Sequence, residues 1–455
     1  MKNSTWRRGR SGAALLLAVL MVAGCSGSNT ASPEPVVTVS VTSQPPGPAS
    51  TGSAPAPETS GTSVTVAPAT PTISATGAPV GSDVVTTVAP STPVPSTTAP
   101  PAVPVAVVTS TPAFGATDMA PAAPVTITAS GGTITEITVT NPDGKEITGE
   151  LAADGSSWTL GEVLGYGRTY TVSGTAVNAA GATTAISGTY ETVTPDTRVR
   201  TTVSPGDGAV VGVAAPVVVT FGVEPEDRAA IERSVSITTT PEVEGAWAWI
   251  QHDGGLWALD WRPREYWPAN TEVHVEANVY GQSFGGGNWG GDDLTSDFTI
   301  GRNQVVKADV NSHELVVYRD GKEFASFDAS YGRGTDRDTT TRSGIHVITE
   351  MFDEKLMSNP KYGYTNVLER YAVRISNNGE FIHANPGTVD SQGNTNVSHG
   401  CVNLSLDHAK EFMESSLSGD PVEVTGTDVP LSAEDGDVYD WTYSWEQWQT
   451  FSALS

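Results

Sequence analysis

The sequence predicts a mostly β protein: two β-sandwiches, a third β-rich unit with one short helix, and a small Trp-bearing tail. Three observations carry this. Short runs of alternating apolar and polar residues recur between Gly, Pro and Asn turn signals. One run of strands repeats at a near-constant offset. The composition, with 47 Gly and 31 Pro against 38% hydrophobic and 16% charged residues, marks a turn-rich chain with a part that cannot pack. At 455 residues, the rest is long enough for several separate cores.

The N-terminus sets the compartment. Lys2, Arg7, Arg8 and Arg10 precede an apolar run from Ala13 to Ala23, and Val22-Ala23-Gly24-Cys25 follows with small residues. This reads as a secretory leader over residues 1–24, its apolar run falling short of the roughly 20 residues a membrane span needs. The Cys directly after Gly24 resembles a bacterial lipobox, so Cys25 is expected to be the lipidated first residue of the mature chain. The protein is then extracytoplasmic and anchored to the bacterial cell membrane. Residues 25–106 are Ser/Thr/Pro/Ala-rich, with no aromatic between Ser26 and Pro104 and no Lys or Arg between Ser11 and Gly144. Such a segment buries too little apolar surface to offset chain entropy and is expected to be a disordered tether.

The sandwiches come next. Ala122-Ala123-Pro124-Val125-Thr126-Ile127-Thr128 is echoed by Ala214-Ala215-Pro216-Val217-Val218-Val219-Thr220. Trp158-Thr159-Leu160 is echoed by Trp257-Ala258-Leu259, and Thr169-Tyr170-Thr171-Val172 by Thr271-Glu272-Val273-His274. The offsets are 92, 99 and 102, so one module is used twice. Its short strands suggest immunoglobulin-like sandwiches over 107–196 and 197–302. Neither copy shows a reactive constellation.

The third unit is expected over 303–426. Val305–Val310, His313–Tyr318 and Glu323–Phe327 alternate as half-buried strands, with Arg319-Asp320-Gly321-Lys322 as a hairpin turn. Tyr371–Ser376 and Glu380–His383 are two further strands, joined through Asn377-Asn378-Gly379. A helix is predicted over Leu406–Leu417, with Asp407 near its start and Gly419 closing it. The tail, 427–455, carries Trp441, Trp445 and Trp448 and is expected to cap this third unit.

Charge and cysteine content exclude whole classes. With 51 acids against 24 bases the net charge is −27, which argues against nucleic acid and against adhesion to anionic lipid through a basic patch. Cys25 and Cys401 are the only cysteines, so a disulfide scaffold and a Cys-rich zinc module are ruled out. If lipid takes Cys25, Cys401 is a lone thiol in an oxidising space, and chemistry is the usual reason for one.

Cys401 lies in Ser398-His399-Gly400-Cys401-Val402-Asn403, and His383 ends a strand 18 residues upstream. Thiol chemistry needs a nucleophile, a base to generate the thiolate, and donors for the oxyanion. Cys401 fits the first and His383 the second. Gly400 lets the backbone turn so that the amides of Gly400 and Cys401 can face a substrate oxygen. Asn403 offers an amide to orient a ligand. His383, His399 and Cys401, with His408, also read as zinc ligands, and a non-catalytic cell-wall-binding protein is a third reading.

At these residues the chain resembles the L,D-transpeptidase (YkuD-type) family, whose signature is a His, about sixteen residues, then Ser-His-Gly-Cys, an apolar residue and Asn. Every fixed position is matched. The order of parts is also similar to mycobacterial-type members: lipobox, linker, two immunoglobulin-like domains, catalytic domain, Trp-bearing tail. The resemblance implies that Cys401 attacks the diaminopimelate carbonyl of a tetrapeptide stem, releases D-alanine, and passes the acyl group to the side-chain amine of another stem as a 3→3 cross-link. It implies no cofactor or metal, and carbapenem-type β-lactams as inhibitors. His383 would be base and then acid, and His399 would support the site. By the same resemblance Tyr364 sits on a lid over the substrate, and Asn378, Gly379 and Asn403 contact it. Two positions depart from the pattern. Ala384 replaces a Ser common after the catalytic His, which loses nothing if the partner of the His is that residue's backbone carbonyl and costs an orienting contact if it is the hydroxyl. Thr339-Thr340 stands where Thr-Pro is common. Water as acceptor would give an L,D-carboxypeptidase of the same fold.

Overall fold

A computed structural model describes residues 104–433 and 440–455. The leader, Cys25 and nearly all of the expected tether lie outside the described residues.

The chain is mostly β, as its patterning predicts. In the first sandwich, four strands form one sheet in the order Val107–Thr111, Thr126–Ser130, Ser157–Leu160, Gly149–Leu151. The facing sheet runs Ala116–Met119, Thr183–Thr192, Thr169–Val177, Thr133–Thr140. The second sandwich repeats both orders. Thr201–Ser204, Val217–Phe221, Trp257–Pro263 and Gly245–Gln251 form one sheet, and Val210–Val211, Leu294–Ile300, Glu272–Ala277 and Val235–Thr240 the other. In each copy a short strand pairs in parallel with the last strand of the module. The repeat is therefore one topology used twice.

One detail of the repeat differs from expectation. Trp158 lies opposite Ile127, and its ring covers Gly149 on the edge strand, leaving no room for a Cβ there. In the second copy Trp261 lies opposite Val217 and covers Gly245 in the same way. Trp261, not Trp257, is thus the counterpart of Trp158. Both are buried, whereas Trp257 is only half-buried and lies under the Arg228 guanidinium. A sequence echo weighs residue type, but the core weighs which strand position faces inward. The helix Arg228–Arg233, capped by Asp227, is an element that the strand pattern did not announce.

The third unit has two sheets. The first runs Lys322–Asp328, Glu314–Arg319, Gln304–Asp309, Pro421–Thr425, Gly344–Val347. The second runs Glu350–Asn359, Tyr364–Arg374, Phe381–Ala384, Val402–Leu404. They enclose one apolar core that includes Val306, Leu315, Phe327, Ile382, Val402 and Phe412. The helix is Leu406–Ser415, with Ser405 as its N-cap accepting from the His408 amide. It ends earlier than expected, because Ser415 and Ser416 turn their hydroxyls back onto the Phe412 carbonyl. Tyr371–Ser376 proves to be the end of a much longer strand, paired with Glu350–Asn359 into a protruding hairpin. Most of that hairpin is exposed, so it lacks the alternation that marks a half-buried strand.

The tail meets the second sandwich as well as the third unit: the turn Asp440–Thr442 lies against the strand Gly344–Val347, while the tryptophan rings pack on the second sandwich. Trp441 Nε1 donates to the Ala214 carbonyl and Trp448 Nε1 to that of Ala246, both at 2.9 Å. The buried Arg262 guanidinium lies 4.6–5.4 Å from the rings of Trp441, Trp445 and Trp448. The tail touches the third unit earlier, where Ser343 exchanges backbone hydrogen bonds with Val429 and Leu431.

Candidate active site

Cys401 directly precedes the strand Val402–Leu404, which runs parallel to Phe381–Ala384 with Asn403 opposite His383. Alternate residues share a face, so Cys401 and Asn403 project to the side on which His383 projects. The Cys401 side chain bears directly on the His383 imidazole. His383 is buried, and Cys401 is half-buried, its sulfur 3.6 Å from the Gly379 carbonyl.

The His383 ring is fixed from its other side. Nδ1 donates to the Ala384 carbonyl at 3.0 Å and lies 3.2 Å from Glu369 Oε2. Nδ1 faces only acceptors, so it carries a proton and Nε2 is turned to the thiol. The partner on residue 384 is its backbone carbonyl, so Ala in place of Ser removes nothing from this contact. Burial pushes the imidazole down, but Cys401 and then Glu369 outweigh it and hold His383 up at about 10.

The nucleophile loop is stitched by polar groups. Ser398 Oγ donates to the Cys401 carbonyl at 2.5 Å and accepts from the Gly400 amide at 3.1 Å. Thr341 Oγ1 donates to the Gly400 carbonyl at 2.7 Å and accepts from the Gly332 amide at 2.9 Å. Gly400 sits at φ +127, a conformation that side chains rarely adopt. Both polar groups of Gly400 are engaged within the protein. The expected role of its amide as a donor to substrate oxygen is therefore not free to operate in this arrangement, because Ser398 holds it.

The lid covers this loop. Its tip is Pro360–Tyr362, closed by Gly363 in the left-handed conformation. Lys361 pairs with Asp338, and Arg333 lies 5.5 Å from the centre of the Tyr362 ring. His399 stacks on Tyr362 at 4.7 Å and 28°, with Tyr364 behind at 5.9 Å. Burial and then Arg333 push the His399 imidazole down. Tyr364 is half-buried, its phenol pushed up by burial and then by Cys401.

Of the remaining expected residues, Asn378 and Gly379 form the turn against the thiol, with Asn378 Oδ1 held by Ser376. Asn403 is buried, and its backbone exchanges hydrogen bonds with Ser330 at 3.0 and 2.8 Å. His408 lies on the helix with its ring 5.3 Å from that of Phe327, apart from the ring stack of His399. Among the described residues, no group of three or more His, Cys, Asp or Glu is placed to hold a metal ion.

Sequence reasoning missed several residues. Glu369 has no motif around it. Glu380 is buried beneath the Asn378-Gly379 turn, accepting from the Arg342 amide at 2.9 Å and from Ser376 Oγ at 2.9 Å. His346 bridges the carbonyls of Arg342 (2.8 Å) and Ile375 (3.2 Å). Charged residues inside an alternating strand were the available signal, since a buried carboxylate needs partners to be tolerated.

Residues 303–424 match the family described as the L,D-transpeptidase catalytic domain, and residues 116–283 match the bacterial Ig domain. L,D-transpeptidase 5 of Mycobacterium tuberculosis (strain ATCC 25618 / H37Rv) is 45% identical over 343 residues, covering 75% of this chain and 76% of that protein. L,D-transpeptidase 2 of Mycobacterium tuberculosis (strain CDC 1551 / Oshkosh) is 36% identical over 348 residues, covering 74% and 83%. A solved structure of the LD transpeptidase LdtMt1 in complex with imipenem is 34% identical and covers 51% of this chain and 100% of its own, with a TM-score of 0.43. A catalytic-domain match around the Cys401–His383 pair, and relatives that share most of their length with it, establish that this chain belongs to the L,D-transpeptidase family.

Proposed function

We propose that this family member is a peptidoglycan cross-linking enzyme that joins diaminopimelate residues of two stem peptides, 3→3, through a thioester on Cys401. The observation that carries the reading is the Cys401–His383 pair, with Nδ1 of the imidazole occupied and Nε2 left for the thiol.

The Cys401 sulfur, its proton passed to His383, attacks the diaminopimelate carbonyl of a tetrapeptide donor, forming a C–S bond. His383 then protonates the departing amide nitrogen, and D-alanine leaves. The side-chain amine of an acceptor stem attacks the thioester, loses its proton to His383, and expels the thiolate as the new amide forms. With the Gly400 amide held by Ser398, the backbone amide of Cys401 would serve as a donor for the oxyanion. Tyr364 and the Asn378-Gly379 turn flank the thiol and would contact the donor, and His399 braces Tyr362 and Tyr364 above it. Asn403, on the face that carries Cys401, would also contact the donor. Relatives are described in complex with imipenem and with a faropenem-derived adduct. Carbapenem-type β-lactams are accordingly proposed to acylate Cys401.

The location follows from the leader: lipid on Cys25 would anchor the chain outside the cell membrane, and the 25–106 segment would carry the folded units toward the wall. The partition into sandwiches at 107–196 and 197–302, a catalytic unit at 303–426 and a tail at 427–455 belongs to the same reading.

Incubation with a tetrapeptide-stem disaccharide, followed by mass spectrometry, should give a 3→3 dimer and free D-alanine, and Cys401→Ser should abolish both. Release of D-alanine with only tripeptide stems formed would identify water as acceptor and overturn the cross-linking reading.

A further inference from the structure

The hairpin that forms the lid carries a deliberate irregularity next to His383. Its strand Tyr364–Arg374 pairs with Phe381–Ala384, with Arg370 opposite Ala384 and Val373 opposite Ile382. Two residues, Tyr371 and Ala372, therefore oppose His383 alone, which is a β-bulge. Tyr371 adopts φ +50, a left-handed conformation unusual for a bulky side chain. Bulges bend a strand and re-aim its side chains, and they recur beside active sites.

The residue re-aimed here is Glu369. Val367, Leu368 and Arg370 around it are exposed, while the Glu369 side chain is 18% exposed and its Oε2 lies 3.2 Å from His383 Nδ1. Its cross-strand neighbour Lys355 directs its ammonium to the Phe352 ring, at 4.0 Å, so the carboxylate remains turned to the imidazole.

We infer that Glu369 is a positioning residue for acyl transfer, a carboxylate that the lid strand delivers to Nδ1 of His383 so that Nε2 stays aimed at the Cys401 sulfur. The inference rests on the acyl-transfer reading above. It also couples the lid to the chemistry: the strand that begins with Tyr364 over the thiol ends by gripping the base. The groups that bear on the imidazole's protonation come from two elements: the Cys401 thiol from the nucleophile loop, and from the lid strand the Glu369 carboxylate, with the Tyr364 phenol facing both of them. The negative carboxylate favours the imidazolium.

The test is Glu369→Gln in the full chain, which keeps size and an acceptor oxygen but removes the charge. The first readout is the titration of His383 by NMR on protein labelled with 15N-histidine, the signal being identified by its loss in His383→Ala. The native midpoint is expected at about 10, and in Glu369→Gln it should fall by roughly one unit or more, as removal of a nearby charge does. The second readout is acylation of Cys401 by imipenem followed by intact mass. Its rate constant should drop roughly tenfold at neutral pH with little change in half-saturation, since the Ala384 carbonyl still orients the ring. Glu369→Asp should recover part of both. A midpoint that stays in place overturns the inference even if acylation slows, because the residue would then only be holding the lid. A wild-type chain that forms no 3→3 product while the midpoint still shifts overturns the cross-linking reading and leaves the Glu369–His383 pairing standing.

Discussion

The sandwiches and the catalytic unit are made of the same material, short alternating strands, yet they bury different things. The first sandwich buries Trp158 over Gly149, with Tyr170, Tyr190 and Ile127 filling the core, and its Tyr170 hydroxyl accepts from a local amide, that of Gly165, at 2.6 Å. Around Cys401 the buried groups include Thr341, Arg342, His346, Glu380, His383 and Ser398; the Ser398 hydroxyl is bonded within its own loop, and the others have a partner on another segment (Thr341 with Gly400, Arg342 with Glu380, His346 with Ile375, His383 with Glu369). An apolar core rewards area and fixes strands, but it is tolerant of small shifts. A buried polar network has one satisfying arrangement, and each broken partner costs about 1–3 kcal/mol. The chain uses the first kind of packing to build a support and the second to hold one loop in place.

That contrast can be broken or sharpened by substitution. The largest expected effect is in the network. His383→Ala should lower turnover by roughly 10²–10⁴-fold, the share of general acid–base catalysis, while the sandwiches melt as before. The same residue gives the site a pH signature. Its folded value of about 10 lies above the ordinary 6.5, so its contribution to stability is complete below about 6.5 and is lost as pH rises through about 10. The stability gap between wild type and His383→Ala should be constant below about pH 6.5 and shrink as pH rises towards about 10, and a gap that does not change across that window would refute the assignment. Next comes Trp158→Ala, which should cost the first sandwich about 3–5 kcal/mol. Calorimetry should show that transition lowered, with imipenem acylation of Cys401 within twofold of wild type. Acylation falling in step with the melt would mean that the support and the site are one cooperative unit. The smallest effect separates two glycines. A Cβ on Gly332 would press on the Thr339 carbonyl and come within 2.7 Å of the Thr341 amide and 3.1 Å of Gly400 Cα. Gly332→Ala should cost about 1–3 kcal/mol and slow acylation. Gly206 in the second sandwich has nothing within 4 Å of such a Cβ, and Gly206→Ala should stay within about 0.5 kcal/mol. Equal behaviour of the two would remove the distinction between loop and support.

The extent to which the site was legible follows the same division. Cys401 and His383 stood out because their types are rare in this chain and their spacing is local. The first hairpin of the third unit and its helix followed from alternation and capping. Glu380, Arg342 and His346 read only as charges within strand-like runs, because a satisfied buried ion looks like a solvated one until its partners are known. The long lid hairpin was invisible over 350–359 because both of its faces are largely open to solvent, and alternation records a difference between faces.

The sequence by itself determined the mostly β character, the doubled module, the family motif and the identity of the thiol and imidazole, since each is written in residues near one another or in a period. Tertiary structure alone decided three matters. Trp441, Trp445 and Trp448 settle around Arg262 of the second sandwich, a partner about 180 residues away that no local pattern names. The Gly400 amide is held by Ser398, a choice made by the turn. Glu369 reaches His383 because one extra residue enters the lid strand opposite it, and a register shift of one residue reverses which side chain faces the site.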